Sequence, residues 1–242
     1  MKRTLYLFSL SFAVMLGLSM AAFAQNTQAT IKFTGVLGTN NGQFYTGIYY
    51  GTLNGTPNTQ FICDDATHEI SEGDTWIANV WTLSQVVQQN NGAFAGVNNG
   101  SDKSWEQIAT YANGTTGHTY TVAQVYDAVA WLAVQIFTQP TSPNVNDIQY
   151  AIWQLMDDPA GSSPNSGAWI TAALKATANG YSNPYILFYS PDGNLITSGP
   201  DSPKGTAQEF MGYQTPEPLS MALMGTFLTL AGLGLGRKKL FS

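Results

Sequence analysis

The chain has 242 residues, of which only 10% are charged, with 15 acidic against 9 basic side chains and a formal net charge of −6. Between residues 25 and 218 stand four lysines, no arginine and all fifteen acidic residues, a net charge of −11. Such a body repels polyanions, which excludes nucleic acid as a partner, and Cys63, standing alone, excludes an intrachain disulfide.

In chain order, Lys2 and Arg3 precede an apolar stretch over residues 5–20, and Ala22-Phe23-Ala24 before Gln25 reads as an A-x-A cleavage site. This predicts a signal peptide over residues 1–24, with a signal helix, and a mature ectodomain over 25–214. Residues 29–36 (ATIKFTGV) alternate apolar and polar and predict a strand. Aromatic-rich residues 43–53 predict a second, and the Asn54-Gly55 that follows is a hairpin signal. Residues 59–63 and 75–83 predict a third and a fourth.

The period then changes. Trp105, Ile108, Ala109 and Ala112 share one helical face; Val122, Val125, Tyr126, Val129, Leu132, Ala133 and Ile136 share another, ended by Gln139-Pro140. Asn146 or Asp147 can cap a third helix with the stripe Ile148, Ala151, Ile152 and Leu155, stopped by Asp157-Asp158-Pro159. A fourth helix is expected over 166–178, with a left-handed end near Asn179-Gly180. Strands return at 185–189 and, after a Pro191-Asp192-Gly193 turn, at 194–197 and 205–213. Sheet, helices and sheet in that order predict an α+β fold: an antiparallel β domain, sandwich or barrel-like, with a helical block inserted at about 103–180.

The last segment, 215–242, has three parts: Pro216-Glu217-Pro218, a charge-free apolar run over 219–236, and the cations Arg237, Lys238 and Lys239. At roughly 1.5 Å per residue the run suits a transmembrane helix across a thin hydrocarbon core, with the cations kept on the cytoplasmic side. This tail resembles the PEP-CTERM sorting signal of Gram-negative bacteria. The resemblance implies an exported protein, an exosortase substrate held in the inner membrane by its C-terminal helix until processed. Delivery to the cell surface or extracellular matrix follows. An ordinary single-pass anchor that happens to follow Pro-Glu-Pro is the plainer alternative.

Cys63 ends an apolar strand in Gln60-Phe61-Ile62-Cys63-Asp64; far downstream come Asp147-Ile148-Gln149-Tyr150-Ala151-Ile152-Trp153 and Ala207-Gln208-Glu209-Phe210-Met211. This set resembles, loosely, the thioester domains of bacterial surface adhesins. Those pair a strand-end cysteine with a glutamine in a late strand, beside a helical Thr-Gln-x-Ala-apolar-Trp motif. Carried over by position, the resemblance makes Cys63 the acyl acceptor, Gln208 the carboxamide donor, and Gln149 with Trp153 the helical support. Ile148 stands where the motif has Thr, and Asp64 follows the cysteine where the family has an apolar residue. Without the bond, Cys63 reads as a buried core thiol and Gln149 as a solvated helix residue.

Asp64, Asp65, His68, Glu69, Glu72 and Asp74 form an acidic run. Asp64, Asp65, His68 and Glu69 are its candidate metal ligands, but the spacing matches neither an EF-hand nor a zinc motif, and a solvated loop is expected. Cys63 and His68 have the residue types of a nucleophile–base pair without a family signature. No Gly-x-Ser-x-Gly, P-loop, His-Glu-x-x-His or dinucleotide fingerprint is present, so neither an enzyme nor a cofactor is expected. The six tryptophans read as core. The sequence thus points to a structural or adhesive ectodomain whose partner is an envelope or matrix component. A secreted hydrolase or carbohydrate-binding protein acting on extracellular polysaccharide is the alternative.

Overall fold

The structure, a computed structural model, describes residues 27–40, 44–66, 68–88, 122–156, 161–203, 205 and 207–214. The expected signal peptide, the helix around Trp105, and the tail with Pro216, Glu217, Pro218, Arg237, Lys238 and Lys239 lie outside them. Among the described residues no helix is long and apolar enough to cross a membrane.

The fold is α+β. Six strands close an antiparallel barrel: β1 (Thr27–Val36), β4 (Tyr49–Leu53), β5 (Thr56–Cys63), β8 (Phe210–Tyr213), β7 (Ile186–Ser198) and β6 (Thr75–Thr82), in that order around the wall. A separate hairpin joins β2 (Thr39–Asn40) to β3 (Tyr45–Thr46). The described helices all fall between β6 and β7: α1 (Leu83–Gln88), α2 (Val122–Thr138), α3 (Val145–Leu155) and α4 (Ser166–Ala176).

Alternation along each strand sorts side chains into two cores, because successive residues point to opposite faces. Ala29, Ile31, Tyr49, Phe61, Cys63, Trp76, Ala78, Tyr189 and Phe210 fill the barrel. Ile62, Trp81, Phe188 and Met211 face outward and pack with the helices. The helical stripe Val125, Tyr126, Val129, Leu132, Ala133 and Ile136 is buried against that outer face, as are Ile148, Ala151, Ile152 and Leu155. Asn54 and Gly55 both take positive φ (50° and 82°), the geometry that a tight turn from β4 into β5 requires.

Several elements depart from the sequence expectation. The strand expected over 43–53 is broken at Gly47, whose φ of 107° turns the chain from β3 into β4. Helix α3 starts at Val145 with Asn144 at its cap, not Asn146 or Asp147. Asn146 instead accepts from Thr46 Oγ1 (3.3 Å), and Asp147 Oδ2 accepts from Asn165 Nδ2 (3.0 Å), which ties α3 to the start of α4. Pro191-Asp192-Gly193 is not a turn but part of β7. There the ladder to β6 slips between Pro191 and Ile196, and the Asp192 carboxylate is caught by Gln28 Nε2 (2.7 Å) and Asn79 Nδ2 (3.3 Å). The last strand is only Phe210–Tyr213, so Gln208 precedes it.

Candidate functional site at the barrel mouth

Strand β5 runs out at Cys63, and its ladder to β8 sets Phe61 opposite Gly212, Ile62 opposite Met211 and Cys63 opposite Phe210. Continuing that register, the residues after Cys63 pass beside the residues before Phe210. Glu209 N donates to Asp65 Oδ2 (3.4 Å). Two side chains then converge on one carbonyl: Cys63 Sγ donates to Asp65 O at 2.9 Å, and Gln208 Nε2 donates to the same oxygen at 3.0 Å. Gln208 Nε2 also reaches His68 O. The cysteine is fully buried and Gln208 is 8% exposed.

Gln149 completes the arrangement from the helical side. It is fully buried, its Nε2 donates to Cys63 O (2.6 Å) and its Oε1 accepts from Gly47 N (3.4 Å). One carboxamide therefore pins α3 to the end of β5 and to the bend between β3 and β4. The expectation of a solvated Gln149 fails, because its carboxamide is used up on these two backbone groups. Trp153, one turn further on, is buried between Phe44 (ring centroids 5.5 Å) and Tyr150 (5.3 Å) and packs on Ala66, covering the chain that leaves Cys63. Ile148, at the motif's Thr position, is buried in the helix–barrel core.

The acidic run is not the solvated loop that its composition suggests. Asp64, Asp65 and Asp74 are all buried, while Glu69 and Glu72 are exposed. Asp74 accepts from Ser71 N (2.7 Å) and Asp201 N (3.1 Å), a structural use. Asp65 accepts from His68 Nδ1 (2.7 Å) and His68 N (3.3 Å). Asp64, the first residue after β5, meets Glu209, which is 3% exposed. Burial, and next the facing Glu209, hold the Asp64 carboxyl well above the ordinary carboxylate range. Glu209 went unnoticed in the sequence; its one signal was its place beside Gln208.

Among the described residues no group of three or more His, Cys, Asp or Glu is arranged to hold a metal ion. The candidates Asp64, Asp65, His68 and Glu69 are divided: Asp64 faces Glu209, Asp65 and His68 are hydrogen-bonded to each other, and Glu69 is exposed. The Cys63 thiol donates to the backbone carbonyl of Asp65, and the His68 imidazole Nδ1 is held by the Asp65 carboxylate.

Above this floor opens a cleft of about 490 Å³ whose lining includes Phe33, Phe44, Tyr49, His68, Glu72 and Gln208. Tyr49 donates to Tyr45 O (2.7 Å), and burial, then the neighbouring Cys63, push its hydroxyl pKa up. The site therefore presents a buried thiol and a carboxamide anchored to one oxygen. Aromatic rings (Tyr49, Phe61, Phe210) surround the thiol inside the barrel, and the carboxamide is accessible from a solvent-connected cleft. A scan of the chain against protein-family models, a search of curated proteins and a search of solved structures each found no match.

Proposed function

We propose that this is an exported protein, sorted by its PEP-CTERM-like tail to the cell surface or matrix, whose barrel forms an internal thioester between Cys63 and Gln208 for covalent attachment outside the cell. The observation that carries the reading is the convergence of Cys63 Sγ and Gln208 Nε2 on Asp65 O, with Gln208 lining an open cleft. Export and sorting rest on the terminal segments of the sequence: the signal peptide with its A-x-A site, Pro216-Glu217-Pro218, the apolar run and the terminal cations.

The chemistry is balanced without a cofactor. The Cys63 sulfur attacks Gln208 Cδ, the C–N bond breaks, and the thiol proton leaves on ammonia, giving an acyl thioester. As the nitrogen departs it gains positive character, which the carbonyl oxygens of Asp65 and His68 are already placed to accept hydrogen bonds from. The rings of Phe61, Phe210 and Tyr49 keep water from the sulfur. An amine that enters the cleft then takes the acyl group, and Cys63 is released as a thiol.

The runner-up, a hydrolase of extracellular polysaccharide, gains nothing from the Asp64–Glu209 pair, since neither residue lines the cleft. Intact mass of the purified chain tests the proposal. A thioester makes the protein lighter by one ammonia and leaves Cys63 unreactive to alkylation until an amine is added. An unshifted mass with a freely alkylated Cys63 in the denatured, amine-free protein overturns it. Cys63→Ala removes both the mass loss and any adduct.

A further inference from the structure

We propose that His68, oriented by Asp65, is the general base of this site and extends its acyl transfer from amines to hydroxyl groups; the inference rests on the thioester reading above. Asp65 is 1% exposed and grips His68 twice, through Nδ1 at 2.7 Å and the backbone N–H at 3.3 Å. A carboxylate acceptor at Nδ1 fixes the proton on that nitrogen, so the basic lone pair belongs to Nε2. His68 lines the same cleft as Gln208, and Gln208 itself is bonded to the His68 carbonyl, so the acyl group is tied to the residue that carries the base.

The chemistry explains why a base belongs here. A neutral amine attacks a thioester unaided, whereas an alcohol must shed its proton as its oxygen attacks. His68 Nε2 takes that proton while the oxygen bonds to Gln208 Cδ, the C–S bond breaks, and Cys63 leaves as thiolate. The imidazolium returns the proton to the sulfur. The products are an ester at Gln208 and a free thiol, with no oxidant or other co-reactant. The charged and titratable groups that line the cleft with His68 are Glu69, Glu72, Tyr45 and Tyr49, and Asp65 holds its Nδ1. The acceptor class is accordingly a polyol, such as a polysaccharide hydroxyl.

The purified full chain is incubated with methylamine or with glycerol across about pH 6 to 9, the range over which an imidazole base works, and its intact mass is followed. Wild type is expected to form both adducts. In His68→Gln the ammonia loss counts the armed molecules, and both adduct rates are read per armed molecule. Relative to its own methylamine adduct, its glycerol ester forms roughly 10²-fold more slowly than in wild type and recovers when imidazole is added. His68→Gln forming the ester at the wild-type rate overturns the assignment, as does an equal fall of both adducts with the thioester retained. Wild type that reacts with methylamine but never with glycerol overturns this inference alone. Wild type with no ammonia loss overturns it together with the thioester.

Discussion

Asp64 and Glu209, each next in sequence to a residue of the proposed bond, bury their carboxyls against one another. As two carboxylates neither can donate, and Asp64 Oδ1 and Oδ2 have no donor from another described residue. One proton shared by the pair resolves this, as for any two carboxyls forced into one dry site. The folded state then holds a proton that the unfolded chain releases near the ordinary carboxyl pKa. This contribution to stability is therefore fully present below that value and is lost as pH rises through the raised value of folded Asp64. Thermal midpoints of the wild type and Asp64→Asn, measured from about pH 4 to 8, should diverge. The variant gains on the wild type as pH rises, and a constant difference would remove the shared proton.

Gln149→Ala removes the donor to Cys63 O and the acceptor from Gly47 N. The expected cost is about 2–4 kcal/mol, for two buried hydrogen bonds lost together, read from the denaturant midpoint. The end of β5 also loses its anchor to α3, so the ammonia mass loss should fall or vanish. Gln149→Glu separates the two effects, because it keeps the acceptor to Gly47 N and loses the donor to Cys63 O.

Gln208→Glu preserves shape and removes the leaving nitrogen. A carboxylate there faces the carbonyl oxygens of Asp65 and His68, acceptors that it cannot satisfy. No thioester forms, no methylamine adduct appears by mass, and stability falls by about 1–3 kcal/mol. A methylamine adduct in this variant would place the acyl group elsewhere.

Gly51 sits where β4 passes β1, and an added Cβ would lie 2.6 Å from Lys32 O and 3.1 Å from Phe61 Cε2. Backbone cannot yield as a flexible side chain does, so Gly51→Ala should lower stability by about 1–3 kcal/mol. Gly167, near the start of α4, meets nothing within 4 Å. Gly167→Ala should instead raise stability by about 0.4–1 kcal/mol through the unfolded chain's lost freedom. Paired thermal melts check both signs.

Much of this was legible in the sequence because it depends on local pattern. Alternation in β1 and the stripe of α2 name their buried residues directly, and Asn54-Gly55 marks its own turn. The meeting of Cys63, Gln149 and Gln208 was reached only through a resemblance, since nothing local in the chain says that β5 pairs with β8. What failed needed distant partners. Asp64 and Asp65 look solvated until Glu209 and the cleft are in place, and Pro191-Asp192-Gly193 looks like a turn until Gln28 and Asn79 hold Asp192 in the sheet. Asn146 and Asp147 have the chemistry of caps, but the structure commits them to Thr46 and Asn165.

The barrel wall closes where β5 meets β8, and the contacts there, such as Asp65 with Glu209, join residues 144 positions apart. A chain emerging N-terminus first thus presents Cys63 long before Gln208. The proposed bond would therefore be timed by geometry: it needs Gln208, and so could not form before that residue is delivered. It would wait for the late segment to reach the end of β5, wherever that segment is released.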